Sequence, residues 1–261
     1  MNLSDSKTLV TLMRAFAGES QARNRYTFAA GICKQQKLHL LEAVFNFTAD
    51  QEKEHAEIFY NHMKELSGSN ITIDGAYPVD ITNEVSDLLR RAEHNELEEF
   101  ETVYPDFAKT AEEEGFPAVA HSFREIAKIE QTHAKRFAWL AQALEEGTLY
   151  AGSAKQAWMC LNCGYIVNVM NVPARCPVCD HDQGYFVPLA LAPYSSEQMM
   201  PCPRAARGRP YLFTHPHRRS RGSSPGQKAL PPGPPPPGNF PPRPLLPAGS
   251  RGWRAGCSGN F

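Results

Sequence analysis

Apolar residues recur at helical spacing from Ser4 to about Gly147, and glycine and proline break that pattern at only a few places. Leu9, Leu12, Met13 and Phe16, then Tyr26 and Ala29, trace one face of a first helix that runs to about Gln36. Leu40, Val44, Phe47, Ile58, Phe59 and Met63 trace a second, which ends before Ser67-Gly68-Ser69. Residues 67–81, with Asp74-Gly75 and Pro78, lose the period and read as a long connection. Thr82, a candidate N-cap, opens a third helix through Val85, Leu88, Leu89, Ala92, Phe100 and Phe107, and Pro105 inside it predicts a kink. Gly115-Phe116-Pro117 combines a C-terminal glycine with a first-turn proline, and a fourth helix follows through Val119, Phe123, Ile126, Ile129, Phe137 and Leu140. Four long amphipathic helices with short, long and short connections predict a mostly α fold, a four-helix bundle over residues 1–147 with one long crossover.

The pattern changes after Gly147. Residues 148–157, containing Gly152-Ser153-Ala154-Lys155, read as a linker. From 158 to 191 the chain is β-prone, with Trp158, Tyr165, Ile166, Val167, Val169, Tyr185, Phe186 and Val187 punctuated by Gly164, Pro173, Pro177 and Gly184. About thirty residues cannot bury a sufficient core alone, so this module requires a metal staple. Cys160-x-x-Cys163 and Cys176-x-x-Cys179 supply one, a tetrahedral four-thiolate site suited to iron or zinc. Cys33, Cys202 and Cys257 stand alone and read as packing or incidental residues.

Within the bundle, some charges fall where a core should be. Glu19 lies on the first helix, Glu52 and His55 on the second, Glu96 and Glu99 on the third, Glu130 and His133 on the fourth. Each of the last three pairs is spaced by three, which puts both side chains on one helix face. Counting along each hairpin at 1.5 Å per residue returns the second carboxylate to within about 5 Å of the height of the first, so all seven side chains are expected to meet at mid-bundle. A Glu from each of two helices plus a Glu-x-x-His from each of the other two is a dinuclear carboxylate ligand set, and imidazole with carboxylate suits iron or manganese. Glu99 is a seventh group beyond that set. Acid-rich helices place most such pairs in solvent, and Glu54, Glu57, Glu98, Glu101 and Glu112–Glu114 read that way.

Charge divides the chain of 261 residues more sharply than its net −1 suggests. Residues 192–261 carry ten basic side chains against Glu197 alone, +9, and hold sixteen of the 22 prolines; the first 191 residues are −10. An acidic body argues against nucleic-acid binding. No apolar run is long enough for a transmembrane span and the first residues lack a leader's pattern, so the expected compartment is the cytoplasm, where thiols stay reduced. Residues 192–261, with Pro231-Pro-Gly-Pro-Pro-Pro-Pro-Gly238, are expected to be disordered. Two readings stand for them: a basic arm of SH3-binding or nucleic-acid-binding type, or the product of out-of-frame translation of a GC-rich stretch.

Residues 1 to about 189 resemble the rubrerythrin family. Phe16-Ala-Gly-Glu-Ser-Gln-Ala-Arg-Asn-Arg-Tyr26, Gln51-Glu-Lys-Glu-His55, Tyr104-Pro-Asp-Phe-Ala108 with its upstream glutamates, and Ile129-Glu-Gln-Thr-His133 are similar to its helix motifs, and Cys160-x-x-Cys-Gly-Tyr165 and Cys176-Pro-Val-Cys179 to its rubredoxin-type loops. The resemblance implies a ferritin-like di-iron bundle followed by a rubredoxin-like domain with one iron held by four cysteines. It implies that Glu52 and Glu130 bridge the irons, Glu19 binds the first, and Glu96 and His133 the second. His55 and Glu99 would be alternative ligands of the first iron, exchanged with redox state, and Tyr26 and Tyr104 hydrogen-bond donors to the carboxylates. It implies a non-haem peroxidase that reduces hydrogen peroxide, fed electrons through the four-cysteine iron by an NAD(P)H-linked reductase or a rubredoxin, and a homodimer or larger assembly in which a neighbouring subunit's rubredoxin domain approaches the di-iron site. A ferritin-like iron-oxidising or storage protein and a non-catalytic zinc-ribbon bundle protein are the alternatives. Two positions depart from the family pattern: Glu93 offers a competing register with Glu96, and Asp180 stands where glycine often follows the last cysteine.

Overall fold

The computed structural model describes residues 1–194; residues 195–261, and with them nearly all of the basic, proline-rich segment, lie outside the described residues. Four helical rods form the bundle: α1 (Lys7–Gln35), α2 (His39–His62), α3 (Val85–Glu98) continuing into α4 (Tyr104–Glu113), and α5 (Pro117–Glu145). Ser6 caps α1 by accepting the Leu9 N–H at 3.1 Å. The α1–α2 turn passes through Lys37 at φ 59°, and Leu38 N–H closes it onto the Cys33 carbonyl at 2.9 Å. Gly115, at φ 86°, ends α4 and Pro117 starts α5, as the sequence predicts.

Two local expectations change. The third rod starts at Val85, not at Thr82, whose hydroxyl instead accepts the Glu84 N–H at 3.1 Å and shapes the approach to the helix. Pro105 does not produce a simple kink. Glu99–Val103 form a π-helical turn, with the Tyr104 N–H reaching back to the Glu99 carbonyl, directly before the proline. Proline's missing N–H and its ring, which crowds the preceding turn, favour such a widening.

The core of the bundle is two apolar clusters separated by a polar layer. One contains Tyr26, Cys33, Leu41, Phe45, Leu89 and Phe137; the other contains Leu12, Phe59, Tyr104, Ala120 and Phe123. Ring pairs bind each together, Phe45–Phe137 at 5.2 Å and Phe59–Phe123 at 4.9 Å between centroids. Cys33 is fully buried in the first cluster, and burial pushes its thiol up to about 12, so it is packing.

The cysteine module is a three-stranded antiparallel sheet in the order β2-β1-β3, from β1 (Ala151–Cys160), β2 (Ile166–Asn171) and β3 (Phe186–Pro188). The expected linker 148–157 is largely strand. Ala151 pairs with Asn171 and Gln156 with Val169, so the small residues between them form a bulge instead of a tether. Trp158 and Phe186 fill the small core, and the Trp158 indole N–H donates to the Val169 carbonyl at 3.2 Å.

The module is seated on the bundle. Val187, Leu189 and Ala192 belong to the first apolar cluster, and His39 stacks on Tyr185 at 4.0 Å. Ala192, expected at the start of the tail, is fully buried here. Gly184 makes the closest approach: a Cβ there would lie 1.8 Å from the Lys37 carbonyl oxygen. Gly184→Ala is expected to push the module off the α1–α2 turn and lower stability by about 1–3 kcal/mol, read as a lower midpoint in urea unfolding of the metal-loaded protein.

Candidate metal centres

The polar layer is built by all four rods. Glu19, Glu52, Glu96, Glu130, His55 and His133 are buried there, four of them with no exposed surface. Ordinarily such groups stay at the surface, because desolvating a carboxylate is costly unless a cation or donor meets it.

The arrangement has near twofold symmetry. His55 Nδ1 lies 3.0 Å from Glu52 Oε2, 2.9 Å from Glu130 Oε1 and 3.9 Å from Glu19 Oε2. His133 Nδ1 lies 3.0 Å from Glu52 Oε1, 2.9 Å from Glu130 Oε2 and 3.4 Å from Glu96 Oε2. Glu52 and Glu130 thus divide their two oxygens between the two histidines. Two groups of potential ligand atoms result, Glu19/Glu52/His55/Glu130 and Glu52/Glu96/Glu130/His133, each with all atoms within 4.8 Å of one another. Although close, Glu19 Oε2, Glu52 Oε1, Glu96 Oε2, both Glu130 oxygens and His133 Nδ1 lack an aligned hydrogen-bond partner. Six orphaned buried atoms converging in two overlapping sets fit a pair of metal ions, and the oxygen and imidazole donors fit iron or manganese.

Electrostatics supports the same reading. Burial, then the charges of Glu130 and Glu52, raises Glu19 well above the carboxylate range; burial, then Glu52 and Glu130, does the same to Glu96. Burial alone would raise Glu52 too, but the imidazoles of His133 and His55 set against its two oxygens reverse this and hold it at about 2. With only two imidazoles facing four buried carboxylates, the layer has an excess of acid that two divalent cations would neutralise.

Each tyrosine expected beside the cluster is there. Tyr26 donates to Glu96 and Tyr104 to Glu19. Burial and the adjacent carboxylates raise both phenols well above their usual value, so both remain protonated donors. The competing register is settled by burial: Glu96 points inward, whereas Glu93 pairs with Arg90 at 2.8 Å on the half-exposed face.

Glu99 departs from the expectation that all seven groups meet. It is half-buried, opens the π turn, and belongs to neither group of converging atoms. The widening lies after Glu99, whose own backbone is still α-helical (φ −64°, ψ −42°) with its N–H on the Asn95 carbonyl, so it sits one regular turn beyond Glu96. Glu99 remains near enough that burial and then Glu130 and Glu52 raise its proton affinity.

Sequence reading gave no role to two residues behind His133. Gln51 Oε1 lies 3.1 Å from His133 Nε2 and accepts its proton, which leaves Nδ1 for the cluster, and Arg136 Nη1 holds Gln51 at 3.3 Å and Thr48 at 3.0 Å. Arg136, three residues after a candidate ligand, was a visible signal; Gln51 meets His133 only across two helices.

In the module, Cys160 and Cys179 sulfurs are 3.8 Å apart and Cys163 and Cys176 sulfurs 3.6 Å. Disulfides need about 2.05 Å. Tetrahedral bonds of about 2.3 Å to one ion place sulfurs about 3.8 Å apart, and all four here form one mutually close group. Asp180 keeps a left-handed turn, φ 59°, matching Gly164 at φ 76° in the other loop, and its carboxylate pairs with Arg175 at 2.9 Å. The backbone N–H of His181 still reaches Cys179 and holds its thiol down to about 6.

Comparison with known proteins gives the same two-part division. Residues 11–141 match the rubrerythrin family and residues 158–187 match the rubrerythrin rubredoxin-like domain. Rubrerythrin of Porphyromonas gingivalis is 43% identical over 188 residues, covering 72% of this chain and 92% of that protein. Rubrerythrin of Clostridium perfringens is 41% identical over 186 residues, with 71% and 95% covered, and that of Nitratidesulfovibrio vulgaris 36% over 190 residues, with 73% and 98% covered. A carboxylate and histidine dimetal site inside a bundle, a four-cysteine site beside it, and this similarity along nearly the full length of these relatives place the chain in the rubrerythrin family.

Proposed function

We propose that the protein is a non-haem di-iron peroxidase that reduces hydrogen peroxide to water, with electrons relayed through an iron ion in the four-cysteine site. The observation that carries this reading is the sharing of Glu52 and Glu130 between two groups of converging ligand atoms. In this reading Glu52 and Glu130 would be shared between the two ions, with Glu19 and His55 holding one and Glu96 and His133 the other. Glu99, at the edge of the cluster, is the exchange partner of His55. A pair of irons bound there would supply two electrons together, which the balance H2O2 + 2 H⁺ + 2 e⁻ → 2 H2O requires.

The chain's own residues do the rest. Tyr26 and Tyr104 hold Glu96 and Glu19 by hydrogen bonds from their protonated hydroxyls. Gln51, steadied by Arg136, fixes the tautomer of His133. The apolar clusters above and below the layer exclude bulk water, which strengthens each electrostatic contact inside. Electrons would come from an NAD(P)H-linked reductase or a rubredoxin in the cytoplasm, and a homodimer would let one subunit's four-cysteine module serve the other's cluster. No helix among the described residues is long and apolar enough to cross a membrane.

Protein purified with its metals is expected to hold about three irons per chain, one more than a dinuclear site alone holds. Its ferric-thiolate absorption should bleach on reduction and return when peroxide is added; zinc in the four-cysteine site, or no peroxide turnover with a competent reductase, would overturn the electron path. Glu52→Ala or Glu130→Ala is expected to take the bundle from about two bound metals to fewer than one, whereas Glu19→Ala leaves about one, as counted by elemental analysis. Loading the stripped bundle with metal at about a hundredfold excess over the dissociation constant should add roughly 2.7 kcal/mol of stability, seen as a higher Tm that chelation reverses.

A further inference from the structure

The connection between α2 and α3 lies as a strap against α1 and α3. It is pinned by Arg14 to Asp74 and, further on, by Arg25 to Asp80 at 2.5 Å, with Asn95 Nδ2 donating to the same Asp80 oxygen at 3.1 Å. Tyr77 sits between these pins. Its hydroxyl donates to the Arg14 carbonyl at 3.0 Å, and its ring lies between two glycines. A Cβ on Gly18 would lie 3.7 Å from the ring, and one on Gly75 2.9 Å from it.

Beneath the strap is a cleft of about 560 Å³, whose lining includes Gly18, Arg25, Tyr77, Asn95, Glu99 and Tyr104. Two of these also face the metal-binding layer. Tyr104 donates to Glu19, and Glu99 lies one helical turn beyond Glu96 on the same rod. Gly18, which puts no side chain between the cleft and α1, immediately precedes Glu19. The walls carry guanidinium and amide donors, which suit a small molecule with oxygen acceptors.

The geometry points to this cleft as the route by which small hydroperoxides reach the carboxylate cluster, with Tyr77 as the residue that limits their size. It rests on the peroxide reading above. Tyr77 touches no ligand atom of the cluster in this arrangement; it is a specificity residue, acting by the space its ring occupies. The strap's ionic pins hold that ring in place, so access depends on the ring and not on chance opening of the loop.

The test uses the full chain with both sites iron-loaded, and two variants of opposite sign, Tyr77→Ala and Tyr77→Trp. Azide binding to the oxidised site, followed by its absorption, is the first readout. A constriction on the path alters association and dissociation equally, so Tyr77→Ala should raise both rates roughly tenfold at unchanged Kd, and Tyr77→Trp should lower both. The second readout is kcat/KM for tert-butyl hydroperoxide relative to hydrogen peroxide, expected to rise roughly 10- to 100-fold in Tyr77→Ala as the bulkier substrate is admitted. Unchanged azide rates in the variants that fold, or a change in Kd without parallel changes in the rates, would overturn the assignment. If the wild-type protein binds azide but turns over no peroxide, the peroxide reading fails while the azide rates still decide the route.

Discussion

Four glutamates buried at mid-bundle are the constraint around which the rest of the structure is organised. Isolated carboxylates would not remain charged in such a place, and two imidazoles cannot neutralise four of them. The layer is therefore neutralised by protons taken up at Glu19 and Glu96 or, without that cost, by cations at its centre. That requirement explains why all four rods must reach the same height and why the two central carboxylates each face both histidines.

The apolar clusters on either side exclude water and also position the ligands. Each contributes one tyrosine whose ring packs among phenylalanines and whose hydroxyl enters the polar layer, Tyr26 to Glu96 and Tyr104 to Glu19. The aromatic packing thus sets where two of the carboxylates sit. The π turn at Glu99–Val103 separates Glu99, on the wall of the cleft, from Tyr104, whose hydroxyl points inward to Glu19.

Seating the four-cysteine module depends on close backbone approach, with Gly184 against the Lys37 carbonyl and His39 stacked on Tyr185. The module's last buried residues join the bundle's own apolar cluster, so the two metal centres share one continuous packing network. That continuity is why the expected linker is strand instead: β1 needs its full length to pair with β2, and the chain between α5 and the sheet is correspondingly short.

Periodicity along the chain was enough to define the four rods, the heights of the carboxylates and the four-thiolate site, because those features depend on spacing within one helix or one loop. Glu93 against Glu96 could not be decided that way, since both registers lie on helical faces; burial decided it. The same holds for Gln51 behind His133, Tyr77 over Gly18, and Gly184 against Lys37, each a contact between segments distant in the chain. Local spacing records which face a side chain occupies, but only packing decides what that face meets, and Glu99, one regular turn beyond Glu96 yet outside both groups of converging atoms, marks where the one stops predicting the other.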